Sequence, residues 1–201
     1  MNKLLFIITI VISLSACSQD ESAATKAAKD FQYKINLEYA DKKTSPLTKE
    51  DFILFSSLNF FPINTNLSFE ADFERTPNEK PFEMLTTTSR LVMYVKYGIA
   101  HFEIEGKKYQ LNIYQNQELI KKEEYKDYLF LPFIDLTSGK ESYAGGRYID
   151  LRIPTKEKTI TIDFNQAYNP YCAYNHKYSC PIPPSENKLD VAIKAGVMKF
   201  H

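Results

Sequence analysis

The chain has 201 residues, with 25 Lys and Arg against 25 Asp and Glu, a balance that leaves no basic stripe of the kind nucleic-acid binders use. Fourteen Tyr and fourteen Phe with only six Gly exclude the disordered class and describe an aromatic-rich globular protein with one core of ordinary domain size.

The first predicted element is an export signal over residues 1–16. Lys3 heads an apolar run of 11 residues from Leu4 to Leu14, followed by Ser15-Ala16-Cys17. A transmembrane span needs about 20 apolar residues, so this run is a processed signal. Cys17 directly after the cut is the thiol a bacterial lipoprotein signal presents for acylation, and several acyl chains make a stable anchor where one is marginal. The expected membrane partner is therefore reached through the lipid. Residues 17–22 read as a short polar tether. Ser18 in the position after the anchor points to the outer membrane of the bacterial cell envelope, on its periplasmic face or, given the acidic Asp20 and Glu21, at the surface.

A single globular domain is expected over residues 23–201. Ala24, Ala27, Ala28, Phe31 and Ile35 fall at the three-and-four spacing of one helical face over 23–39. Thr48 caps a second, shorter helix, with Asp51 at its third position and Leu47 stapled to Phe52; it ends before Pro62. The period then switches to two. Leu67, Phe69, Ala71 and Phe73 alternate with polar residues, then Leu91, Met93, Val95 and Tyr97, then Phe102 and Ile104. Glu105-Gly106-Lys107 turns the chain into Tyr109, Leu111 and Ile113. Pro132 makes 128–134 an edge strand or a strand break. Residues 147–154 and 159–164 flank Lys156-Glu157-Lys158 as a hairpin, and Leu189, Val191, Ile193 and Ala195 predict a last strand. The fold class is α+β, mainly β: an antiparallel barrel-like or sandwich sheet of roughly eight strands with one or two N-terminal helices.

From residue 130 onward polar residues arrive in clusters that alternation does not explain. The run from Phe130 to Tyr148, FLPFIDLTSGKESYAGGRY, resembles the opening signature of the bacterial domain-of-unknown-function family numbered 1684. So do Asp163-Phe164-Asn165, Ala167-Tyr168-Asn169-Pro170, Cys172-Ala173-Tyr174 and the segment from Cys180 to Asn187. Ser142 stands where the family pattern has Thr, and Val197 where it runs into Glu. The resemblance covers the mature domain and implies, by analogy, a pocket, with no assigned activity.

Arg147 shares a strand face with Ile149, Leu151 and Ile153, and an arginine there demands a carboxylate or an anionic ligand. Glu141, Asp163 and Glu186 are the candidate partners. One reading is a pocket built from Lys140, Glu141, Arg147 and Glu186, with the hydroxyls of Tyr143 and Tyr148. The other is structural: Arg147 and one glutamate form an internal pair that holds the long loop to the sheet, while Asn165, Asn169 and Asn187 tie backbone groups. That loop, residues 165–187, carries four prolines and four tyrosines and is expected to be a packed lid. Cys172 and Cys180 within it form a disulfide in an exported protein; free or redox-active thiols, or a metal held with His176 in Cys-x3-His-x3-Cys, are the alternatives. No metal is expected, since a structural zinc site wants four ligands, and no cofactor signature is present. Two functions stay open: a lipid-anchored binding domain with a pocket for a small polar or anionic ligand, or a carboxylate-dependent hydrolase of the envelope using Glu141 or Glu186 beside Lys140 and Arg147.

Overall fold

The computed structural model describes residues 21–156 and 158–201. The export signal, Cys17 and most of the tether lie outside the described residues. Helix α1, Ala23–Ala40, starts where the Ala-rich face predicts, because Ser22 accepts a hydrogen bond from the Thr25 N–H and satisfies one orphan donor of the first turn. Its face of Phe31, Ile35 and Tyr39 packs with Leu47, Leu58, Tyr174 and Val197. Helix α2, Lys49–Leu54, is capped by Thr48, whose hydroxyl accepts from the Asp51 N–H at 3.1 Å and donates to its carboxylate at 2.7 Å. Leu47 and Phe52 lie in the same apolar cluster, as a staple requires.

Seven strands form one antiparallel sheet: β1 Ser68–Arg75, β2 Phe82–Met84, β3 Val92–Ile104, β4 Lys107–Asn116, β5 Tyr128–Phe133, β6 Arg147–Arg152 and β7 Thr159–Asp163. The order is β6-β5-β4-β3-β1-β7, with β2 added on β3. The sheet curls into a half-barrel, and residues 153–158 join the strands at its two ends. Inside the curl lie Ala71, Phe73, Ala100, Phe102, Leu111, Ile113, Leu129, Leu131, Phe133, Ile149 and Ile162, all buried. Outside it Met84, Tyr94, Tyr114, Phe130 and Tyr148 make a separate aromatic cluster.

Three expectations are corrected. Lys156-Glu157-Lys158 does not turn a hairpin, since β6 pairs with β5 and β7 with β1. The 91–97 stretch buries Tyr94 rather than the odd-numbered residues, because a bulge between Lys96 and Gly98 shifts the register against β4 and moves the inward set to Gly98, Ala100, Phe102 and Ile104. A Cβ at Gly98 would sit 2.6 Å from the Glu74 carbonyl, so the bulge needs glycine. Residues 189–195 form no strand, although Leu189, Ile193 and Ala195 are buried in the core. Their first residues make backbone bonds past the end of β5, the Leu189 N–H to the Ile134 carbonyl at 2.8 Å and the Leu136 N–H to the Val191 carbonyl at 3.1 Å. Beyond them side chains take over: Asp135 accepts from the Ile193 N–H at 2.7 Å, and Arg147 donates to the carbonyls of Ile193, at 2.8 Å, and Ala195.

Pro132 is likewise not at an edge. It lies in β5, between β4 and β6, and its missing N–H is answered from elsewhere. The β4–β5 pairing is confined to Tyr114 and Phe130. Beyond that point the Asn187 amide enters the gap, donating to the carbonyls of Asn112 and Pro132 at 2.8 and 2.7 Å and accepting from the Asn112 N–H at 2.9 Å. One side chain supplies the bonds that a strand would have made.

Candidate functional site

The ten signature residues do not converge on one pocket. Arg147 is fully buried, and its partner is Asp135 at 3.2 Å rather than Glu141, Asp163 or Glu186. Thr137 and Ser142 complete that network, Thr137 donating to Asp135 and exchanging a 2.8 Å hydrogen bond with Ser142. Burial pulls the Arg147 guanidinium down and the Asp135 carboxylate opposes it. Lys140 and Glu186 are exposed, and Glu141 pairs at the surface with Lys194 at 2.9 Å. Asp163 accepts from the Asn165 backbone and side chain, at 3.0 and 2.8 Å. Asn165 binds both backbone groups of Asn64, and Asn169 donates to the Met198 carbonyl at 2.9 Å. Asn165 and Asn169 thus tie loop to loop, and Asn187 ties its loop to β4 and β5, so that all three hold backbone groups, as the structural reading anticipated.

Cys172 and Cys180 are free thiols, not the expected disulfide. They are neighbours, the Cys172 N–H donating to the Cys180 sulfur at 3.1 Å. The Cys180 thiol bonded to it, helped by Tyr143 and Thr87, holds the Cys172 thiol down at about 6, while the same interaction pushes Cys180 up. Tyr143 stands half-buried with its hydroxyl 3.8 Å from the Cys172 sulfur. Among the described residues no group of three His, Cys, Asp or Glu side chains could hold a metal ion.

Of the ten signature residues only Tyr148 lines the cavity of about 420 Å³ between α1 and the outer face of β6. Phe31, Lys34, Ile35, Glu38 and Tyr39 of α1 form one wall. Tyr148 and Asp150 of β6 form the floor, and the long loop closes the rest from Tyr168 to Pro181. The loop is held there because Tyr168 exchanges both backbone hydrogen bonds with Tyr148, at 2.9 Å each, extending the sheet past β6. Edge closure and cavity wall are the same act. A wider depression of about 720 Å³ over Glu70, Asp72, His101 and Glu103 is open, and its three carboxylates are exposed.

Asp150 is the chemical centre of the cavity. Alternation along β6 turns Arg147, Ile149 and Leu151 inward and Tyr148 and Asp150 outward. Tyr128 and Tyr168 both donate to Asp150 Oδ1, at 2.8 and 2.6 Å. Its Oδ2 takes no hydrogen bond from the described residues. The carboxylate opens to solvent at the mouth of the cavity, yet the protein crowds it on its other sides. Burial raises its pKa even against the two tyrosine hydrogen bonds and the nearby Arg152. The second carboxylate in the cavity, Glu38, accepts from the Tyr171 hydroxyl.

Sequence reasoning passed over Asp150 because a polar residue at that place in β6 reads as an ordinary wet-face residue. The usable signal was the aromatic density of the loop, since Tyr168, Tyr171 and Tyr178 all reach the cavity. The placement of α1 over β6, which brings in Glu38, is a long-range contact with no local sequence signature.

A family model described as "Protein of unknown function (DUF1684)" matches residues 54–198. The match contains β1–β7 and the long loop and leaves α1 outside. A solution structure of an uncharacterized protein of Haloarcula marismortui is similar at 29% identity, with a TM-score of 0.67 over 86% of this chain and 92% of that one. No curated protein matches.

Proposed function

Because the chain belongs to the DUF1684 family, whose description names no activity, we propose from its own residues that it is a lipid-anchored binding domain of the cell envelope. Its ligand is a small polar molecule held between α1 and β6. The observation that carries this reading is Asp150: two tyrosines saturate one of its oxygens and leave the other toward an aromatic-walled cavity of about 420 Å³. Cavities of roughly 300–1,000 Å³ with a few placed polar groups among apolar walls are the usual form of a small-molecule site. The test is a thermal-shift screen of the full chain against small envelope-derived molecules. A ligand that raises the melting point of the wild type but not of Asp150→Asn supports the reading, and equal shifts in both would place the ligand elsewhere.

The anchor rests on the sequence around Cys17. With α1 starting at Ala23, an acylated Cys17 would hold the helix that walls the cavity close to the lipid surface. Incorporation of labelled fatty acid by the wild type and its loss in Cys17→Ser test this. Export would also place Cys172 and Cys180 where a disulfide can form and close the loop.

A second reading, a carboxylate-dependent hydrolase, is favoured by one observation. Asp150, its pKa raised by burial, shares its cavity with a second carboxylate, Glu38. The acid and base would then be these two residues in place of Glu141 or Glu186. Turnover of an envelope substrate, abolished by either Asp150→Asn or Glu38→Gln, would decide for catalysis.

A further inference from the structure

The hydrogen-bonding capacity left over in the cavity defines the ligand more narrowly. Four of the nearby hydroxyl protons are already committed: Tyr168 donates to Asp150, Tyr148 to the Pro181 carbonyl, Tyr171 to Glu38 and Ser179 to Thr86 at 2.9 Å. The Cys180 N–H is committed to Thr87 at 3.1 Å. Among the described residues, the donors that remain are the Tyr178 hydroxyl, the Tyr39 hydroxyl and the ammonium of Lys34, an exposed residue of α1. The acceptors that remain include Asp150 Oδ2 and an oxygen of Glu38. Tyr39, in the same wall, adds a fully buried hydroxyl without a hydrogen-bond partner. A sugar's acceptors would have only Tyr178, Tyr39 and Lys34 to meet, while the two carboxylates favour a ligand rich in N–H donors and disfavour an anion.

The walls fit the same conclusion. Tyr148, Tyr168 and Tyr171 have their hydroxyls tied back to the protein, so what each has left to offer the cavity is its ring. Tyr148 and Tyr168 stand edge to face at 5.8 Å, and Tyr171 and Tyr178 lie tilted at 5.2 Å. Ring faces beside carboxylates are the arrangement that attracts an organic cation, through the ring quadrupole and through charge.

We propose that the ligand is a small organic cation carrying N–H donors, a primary ammonium or a guanidinium, seated on Asp150 and Glu38 among the tyrosine rings. This rests on the binding reading above and narrows its ligand class. The test is calorimetric titration of the full chain with n-butylammonium and agmatine, against n-butanol, glucose and butyrate as uncharged and anionic counterparts. The chain has no Trp, so tyrosine fluorescence, to which the cavity's tyrosines contribute with the rest, gives a second signal. The two cations are expected to bind, and Asp150→Asn to weaken them at least tenfold. Glu38→Gln, a change on a half-buried helix residue, is expected to weaken them as well and serves if the first variant does not fold. Glucose or butyrate bound in an Asp150-dependent way, with the cations silent, overturns the cation and leaves the binding reading standing. No binding of any probe by the folded wild type overturns both.

Discussion

Arg147 and Asp150 sit three residues apart on β6 and face opposite sides of the sheet. Inside, both terminal nitrogens of Arg147 are bonded within the protein, to Asp135 and to two backbone carbonyls, and its Nε is buried without a partner among the described residues, out of reach of any ligand. Outside, Asp150 is bonded on one oxygen and open on the other. The guanidinium replaces a missing strand for residues 193–195, whereas the carboxylate stabilises nothing that its tyrosines could not find elsewhere. A charge whose every hydrogen bond ends on its own chain is architecture. A charge left half-bonded in an aromatic cavity is a place for something else to bind.

The inner half of this comparison is broken most severely by Arg147→Met. The substitution roughly keeps the volume but leaves Asp135 charged and buried without its cation, and frees the Ile193 and Ala195 carbonyls. A loss of about 3–5 kcal/mol in urea unfolding is expected, the usual cost of removing one partner of a buried pair. A loss below about 1 kcal/mol would mean that water reaches the pair and that the inner network is not what holds residues 193–195. Asn187→Ala comes next. It strips the Asn112 N–H and the carbonyls of Asn112 and Pro132 of their partner, and at about 1–3 kcal/mol for an unsatisfied buried group the combined loss is expected at about 2–4 kcal/mol. Amide exchange at Asn112 should accelerate, while ligand binding in the remaining folded protein stays within about twofold, a difference of roughly 0.4 kcal/mol.

Much of this architecture was legible in the sequence, and the exceptions share a cause. The helix face of Phe31 and Ile35, the Thr48 cap, the alternation from Leu67 to Phe73 and the turn at Glu105-Gly106 are local patterns, and each formed as read. Glu105 and Gly106 both take the positive φ, 52° and 77°, that such a tight turn requires. Residues 189–195 had the period of a strand, yet only Leu189 and Val191 bond to neighbouring backbone, at Ile134 and Leu136, while Arg147 and Asp135 take the groups of residues 193 and 195. The need of Arg147 for a carboxylate was readable, yet its identity was not, since three carboxylates in the signature competed on paper and the fold chose a fourth, Asp135. Asp150 and Glu38 meet only because α1 lies across β6, a contact 112 residues apart in sequence.

The cysteines belong to the outer half. Cys180 lines the cavity, and Cys172, whose pKa the bonded Cys180 thiol lowers, is the more readily ionised of the two and so the attacking sulfur in thiol–disulfide exchange. Oxidised glutathione supplies the disulfide: Cys172 attacks it, glutathione leaves as thiol, and Cys180 resolves the mixed disulfide. The expected product has lost two hydrogens by mass spectrometry and is more stable by about 2.5 kcal/mol for a loop of about nine residues. The Arg147 network should not notice, so the oxidised chain is expected to lose as much stability on Arg147→Met as the reduced one. Unequal losses would show that the loop and the core pair are coupled.

The smallest effect on stability, and the sharpest test of the comparison, comes from Asp150→Asn. The Asp150 pKa is raised in the folded state, so between its unfolded and folded values the native protein binds more protons than the unfolded chain. Stability then falls as pH rises through that window, and above it the ionised carboxylate is a cost. Asparagine keeps an oxygen for the hydroxyls of Tyr128 and Tyr168 and removes the charge. At pH 7 the variant is therefore expected to equal or exceed the wild type, by no more than about 1 kcal/mol because the carboxylate is open to solvent. That advantage should disappear below about pH 4, where the wild-type aspartate is protonated in both states. A variant that gains stability while losing its ligand would be the signature of a charge kept for binding. One that loses several kcal/mol across the whole pH range would put Asp150 in the same class as Arg147, and the two faces of β6 would no longer differ.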